Sequence, residues 1–236
     1  MRQQIAGLAL AGACTFAAGC SATVDGRAVA ADKSRPLIQT PVAISALDAL
    51  LLDPSQINAA LNAKSMKVWF SGKVMWDWST SVSDQTCLAI DGPAQDKVYA
   101  NTGWTAIRGQ RLDDSVDDSK RRKHFAIQAV VAFPSARDAA AFYDSSPQTW
   151  SACSNRRFSD LTPGKPDTVW TASGTIDDNG MLTTTQVQEG GDGWACQRAL
   201  TVRNNVAIDI VTCSYTQSGA VAAGVAQQIA AKVAQQ

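Results

Sequence analysis

Two cysteines placed symmetrically about an Asn-Asn pair constrain this chain more than any other feature. They stand in WACQRALTVRNNVAIDIVTCSY, Trp194 to Tyr215. Asparagine tolerates positive φ better than most residues, and primed turns match the twist of paired strands. Asn204-Asn205 therefore predicts a two-residue type I′ hairpin between runs rich in Val, Ile and Thr. Pairing outward from the turn sets Arg203 against Val206 and Cys196 against Cys213. Every second pair lacks ladder hydrogen bonds, and the cysteines fall in that closer class, at the short end of disulfide reach. Leu200 and Val202 pull against this register. They point away from the face of Val206, Ile208 and Ile210, which a one-residue bulge would reconcile.

A disulfide needs an oxidising compartment, and the N-terminus MRQQIAGLALAGACTFAAGCSA supplies the route to one. One arginine precedes an uncharged run from Ile5 to Ala18, too short to span a bilayer comfortably and suited to an export leader. Ala17-Ala18-Gly19-Cys20 resembles a bacterial lipobox, with Ala17 where leucine is usual. Residues 1–19 are then a signal peptide and Cys20 is acylated. Residues 20–43 are a lipidated N-terminus and flexible tether, small, polar and without apolar periodicity. An ordinary secretory leader cut near Ala18 is the plainer alternative, and it too takes the chain out of the cytoplasm. The expected location is the extracytoplasmic face of the cell membrane, reached through the lipid.

Of six cysteines, Cys14 leaves with the leader and Cys20 carries lipid. Cys87, Cys153, Cys196 and Cys213 remain, an even set that favours a disulfide framework over metal or redox chemistry. The hairpin selects Cys196 with Cys213 and leaves Cys87 with Cys153, worth about 3 and about 4 kcal/mol by loop-closure entropy. The 21 basic and 21 acidic residues balance, which gives no electrostatic footprint for nucleic acid.

Local signals in residues 44–236 predict an α+β fold, with antiparallel hairpins between helices at both ends. A short helix is expected from Leu47 to Leu51. Asp53-Pro54-Ser55-Gln56 joins an N-cap, a first-turn proline and a capping-box partner, opening a helix to about Leu61. Val98 to Arg111 and Phe125 to Phe133 read as strands around a charged, solvated loop holding Asp113, Asp114, Asp117 and Asp118 with Lys120 to Lys123. Ser135 and Asp138 cap a helix reaching about Tyr143. Asp178-Asn179-Gly180-Met181 turns a second hairpin, Val169 to Asp177 with Met181 to Glu189. Val221, Val225, Ile229 and Val233 stripe a C-terminal helix.

The run QAVVAFPSARDAAAFYDSSPQTWSACSNRRF, from Gln128 to Phe158, and GWACQRALTVRNNVAIDIVTC beyond it resemble the PknH-like extracellular sensor domain family. Its members lie outside the membrane on mycobacterial receptor serine/threonine kinases or stand alone in lipoproteins. The resemblance spans about Ile44 to Val233. It implies a twisted antiparallel sheet flanked by helices, with a cleft for a ligand. It also implies disulfides matching Cys87 with Cys153 and Cys196 with Cys213.

Catalytic patterns are missing from the sequence. There is no Gly-x-Ser-x-Gly elbow, and His124, the only histidine, follows four basic residues and reads as an exposed strand start. Disulfide-bonded cysteines cannot ligate zinc, so neither a metal site nor a cofactor is expected. Asp177-Asp178-Asn179-Gly180 lacks calcium-loop spacing, and GGDGW, residues 190–194, has no helix behind it to cradle phosphate. Core packing accounts for each of the seven tryptophans taken singly. An exported binding cleft also uses indole rings, and Trp104 with Arg108, on one strand face, is the pair chosen for it. The expected function is a lipid-anchored, non-catalytic sensor of a cell-envelope or small-molecule ligand. The alternative is a periplasmic carrier of lipid or glycolipid. A hydrolase would need two carboxylates that converge in space.

Overall fold

A computed structural model describes residues 40–115, 122–216 and 219–236. The leader, Cys20, most of the tether, and Asp117, Asp118, Lys120 and Arg121 of the charged loop lie outside the described residues.

A 3-10 turn, Ile44–Ala46, leads into α1 (Leu47–Leu50) and α2 (Pro54–Leu61). At the start of α2 the Asp53 carboxylate accepts the Ser55 and Gln56 N–H groups, while the Gln56 side chain accepts the Asp53 N–H. These bonds satisfy donors that a helix otherwise leaves bare. β1 (Lys67–Gly72) follows, then a 3-10 turn at Gln85–Cys87, α3 (Leu88–Asp91), α4 (Asp96–Tyr99), β2 (Ala106–Asp113) and β3 (His124–Ala132). β2 is shorter than its sequence suggests. Asn101 and Gly103 take positive φ, which breaks the extended run, and the residues before them coil into α4.

α5 (Ala136–Ser151) runs two turns past Tyr143 in spite of Pro147. Its buried stripe of Ala139, Phe142, Ser146 and Trp150 continues across the proline, and the Ser145 and Ser146 hydroxyls donate to the Phe142 carbonyl nearby. Packing outweighs the lost backbone bond here. β4 (Arg157–Asp160), β5 (Thr168–Ala172), β6 (Ile176–Asp178), β7 (Met181–Gln188), β8 (Ala195–Arg203), β9 (Val206–Ser214) and α6 (Val221–Val233) complete the domain. The expected long strand before Asn179 is thus split at residues 173–175, where its register on β7 moves by one residue. Asn179 and Gly180 both take positive φ, the type I′ pattern.

The nine strands form one antiparallel sheet in the order β1-β2-β3-β9-β8-β7-β5-β4, with β6 also on β7. β8 and β9 pair without a bulge, Arg203 on Val206 and Cys196 on Cys213. The apparent conflict of apolar faces has a different cause: the sheet is covered on both sides, and every residue of β9 is buried. One core gathers Val206, Ile208 and Ile210 with α1, α2 and α6. The other gathers Leu200, Ala207 and Val211 with α3 and α5. Alternation is uninformative for a strand buried on both faces.

At the hairpin turn only Asn204 takes positive φ, at 52°, so the turn has the type II′ sign pattern instead of type I′. The Asn205 side chain is otherwise engaged. It accepts the Val42 N–H at 2.7 Å and donates to the carbonyls of Phe133 at 2.9 Å and Val42 at 3.3 Å. Asn204 donates to the Thr40 carbonyl at 2.7 Å.

Candidate ligand-binding cleft

On the face of the sheet that carries α3 and α5, a cleft of about 500 Å³ opens over strands β3, β9, β8, β7 and β5. Its floor includes Val211 and the Cys196–Cys213 disulfide, whose Cα atoms are 4.0 Å apart, as a non-hydrogen-bonded cross-strand pair requires. Indole rings make the walls: Trp78 from the segment after β1, Trp170 from β5, and Trp194 just ahead of β8. Trp78 sits on Gly92, where an added Cβ would lie 2.1 Å from Cζ3 of the ring. Only glycine allows that approach. Trp194 leans on Tyr215 at 4.9 Å between ring centres.

One part of the lining is acidic. Asp91 ends α3 and Asp160 ends β4, and the two are neighbours on the cleft lining. Trp170 Nε1 donates to Asp160 Oδ2 at 2.8 Å. Burial, and then the neighbouring Asp160 charge, hold the Asp91 carboxyl well above the usual carboxylate range, against the pull of Arg198. A neighbouring negative charge disfavours the ionised form of a carboxyl. Arg198 itself is buried and bound to Asp209 Oδ1 at 2.8 Å, and Asp209 Oδ2 accepts from Tyr99 at 3.0 Å. The second disulfide, Cys87–Cys153, ties the 3-10 turn before α3 to the segment after α5, and so fixes the short helix that presents Asp91. Gln186 on β7 completes this region. It is 2% exposed, its Nε2 reaches the Asp91 carbonyl at 3.4 Å, and its Oε1 has no partner among the described residues.

Another part of the lining is basic. The Arg111 and Arg122 guanidiniums lie 5.4 and 5.2 Å from the centre of the Phe125 ring, within cation–π range. Both bind the buried Asp113 carboxylate, at 3.1 and 2.8 Å. Among the described residues, one carboxylate here faces two guanidiniums.

Several site residues stand elsewhere than their sequence context suggests. Trp104 precedes β2 and packs against the core that includes α3 and α5, while Arg108 points to the opposite face and binds Asp48 of α1 at 2.8 Å. Neither lines the cleft. Asp113 and Asp114 belong to a strand end instead of a solvated loop. Asp113 is 1% exposed, and Asp114 Oδ2 lies 2.8 Å from His124 Nδ1, so His124 is partly buried and partnered. Among the described residues no cluster of three acidic, histidine or cysteine side chains could hold a metal ion, and no helix is long and apolar enough to cross a membrane.

Two disulfides in an antiparallel sheet with helices on both faces define an oxidised, exported class of domain. The chain belongs to the PknH-like extracellular domain family, whose sequence model matches residues 42–232. It is 36% identical over 195 residues to serine/threonine-protein kinase PknH of Mycobacterium bovis, covering 80% of this chain and 32% of the kinase. The same identity relates it to PknH of Mycobacterium tuberculosis, with 30% of that kinase covered. The chain thus spans about a third of the curated relatives it matches. The crystal structure of the extracellular domain of PknH from Mycobacterium tuberculosis superposes with a TM-score of 0.77 at 36% identity, covering 84% of this chain and 99% of that one. The similarity is to the extracellular domain of a kinase.

Proposed function

We propose that this protein is a lipid-anchored sensor or ligand-binding module that holds a cell-envelope or small-molecule ligand in the cleft and performs no chemistry of its own. The observation that carries this reading is the cleft itself. It offers about 500 Å³, walls of three tryptophans, and a few polar groups of both signs. That is the usual build of a small-molecule site, in which aromatic faces supply area and sparse polar groups fix orientation. The polar groups argue against a carrier of acyl chains, which needs an apolar interior. Anchoring through Cys20 rests on the lipobox-like sequence.

Native mass spectrometry of protein extracted from its own envelope tests the binding reading. A bound small molecule that is lost in Trp170→Ala, with the fold intact by circular dichroism, supports it. A ligand-free parent, together with no ligand-induced change in tryptophan fluorescence in envelope extract, refutes it. Cys20→Ala should move the protein from the membrane to the soluble fraction, and unchanged retention would refute the anchor.

A further inference from the structure

We propose that the Asp91–Asp160 pair, with Gln186, forms a subsite for a primary ammonium group on the ligand, such as that of an amino sugar. The inference rests on the cleft being a ligand site and names the chemistry that one end of it reads.

The donor and acceptor inventory leads to this class. Two carboxyls lie near each other on the cleft lining, and among the described residues the one side-chain N–H bonded to them is Trp170 Nε1, on Asp160 Oδ2. Beside them the Gln186 amide gives its nitrogen to the Asp91 carbonyl and keeps an oxygen without a partner, although the residue is 2% exposed. A buried acceptor without a donor is unfavourable, so this oxygen calls for a donor from the ligand. A ligand hydroxyl brings one. An ammonium brings three, together with a positive charge that permits both carboxyls to ionise. The neighbouring indole faces of Trp78, Trp170 and Trp194 suit the C–H face of a sugar or the cation itself. A divalent metal is the poorer fit, because calcium takes six to eight oxygens and two carboxylates with one amide leave most of its shell unfilled.

Among the described residues, Arg111 and Arg122 line another part of the same cleft, and the elements beside the pair carry few charges. α3 contributes Asp91 and β4 contributes Asp160, with Arg157 of β4 turned outward onto Glu189. β8 contributes Arg198, which is bound to Asp209 of β9. β5 and β7 contribute no charged side chain. Without ligand, burial beside Asp160 favours the protonated form of the Asp91 carboxyl. On binding, R–NH3+ takes the place of that proton, which leaves to water, and the net charge of the site is unchanged. Affinity for the ammonium therefore rises with pH, by up to about tenfold per pH unit for one released proton.

The test uses the full chain and two sugars, 6-amino-6-deoxyglucose and glucose, titrated by tryptophan fluorescence and calorimetry between pH 5 and pH 7.5. The amino sugar should bind at least tenfold more tightly than glucose at pH 7.5, and its advantage should shrink toward pH 5. Asp160→Asn should abolish both the advantage and its pH dependence. Asp91→Asn, checked for fold by circular dichroism, should do the same. Equal affinity for the two sugars overturns the ammonium assignment and leaves the sugar-binding cleft standing. No binding of either sugar, while an envelope-derived ligand is still detected by native mass spectrometry, overturns the assignment alone. Calcium chloride competing with the amino sugar at equimolar concentration would assign the pair to a divalent cation instead.

Discussion

Removing each disulfide in turn should cost stability in proportion to the chain it closes. Cys87–Cys153 spans 66 residues and Cys196–Cys213 spans 17. Loop-closure entropy assigns about 4.3 kcal/mol to the first and about 3.1 kcal/mol to the second, a difference of about 1.2 kcal/mol. Cys87→Ala/Cys153→Ala and Cys196→Ala/Cys213→Ala each delete two buried sulfurs, since all four side chains are at most 4% exposed. Packing losses are therefore comparable and largely cancel in the comparison. The assay is urea unfolding of parent and both double variants, followed by far-UV circular dichroism, with ΔG extrapolated to water. The long-loop variant should be the less stable by about 1 kcal/mol. If the hairpin variant is the less stable, the covalent bond matters through the cleft floor it forms and not through the freedom it removes from the unfolded chain. The entropic reasoning would then be refuted for this fold.

Asp91 makes stability depend on pH in a direction opposite to an ordinary salt-bridged carboxylate. Its folded form holds a proton more tightly than the unfolded chain does, so the stability it contributes is complete below the unfolded carboxyl range, near pH 4, and is lost as pH rises through the folded value. Asp91→Asn, which cannot ionise, should therefore melt higher than the parent at pH 7–8, and the gain should vanish near pH 4. A gain that is independent of pH would contradict this. Asn205→Ala leaves the Val42 N–H and the Phe133 carbonyl without partners. It should cost roughly 2–3 kcal/mol and make the chain before Val42 sensitive to protease, which limited proteolysis would show. Gly92→Ala forces Trp78 away from its seat and should shift the tryptophan emission spectrum, while a spectrum identical to the parent's would show that the ring can settle elsewhere.

Features that depend on neighbours in the chain were legible in the sequence. The Asp53 capping box, the α6 stripe and the symmetry of Cys196 and Cys213 each state their geometry within a few residues, and each stands where the spacing puts it. The cleft was not legible, because contacts between remote segments assemble it. Nothing in the spacing of Asp91, Asp160 and Gln186 brings them together; the fold of the sheet does. Trp104 and Arg108 seemed a pair on one strand face only so long as the strand reached residue 104, and Gly103 ends that extension with a positive φ. Asp113 and Arg122 read as solvated charges because their loop is polar, whereas the end of β2 buries the carboxylate and turns the guanidinium onto Phe125. The tryptophans carried the one signal that pointed to the cleft, and composition alone could not say that Trp78, Trp170 and Trp194 were the three.

Asn204 and Asn205 fasten Thr40 and Val42 to the tip of the β8–β9 hairpin, whereas Cys213 lies eight residues down the second strand, roughly 27 Å away at the usual rise. Strain applied at Thr40 and Val42 is thus taken up by side-chain amides at the tip, well clear of the sulfur-clipped end where the aromatic walls stand. Those amide contacts can come apart while the cleft keeps its shape.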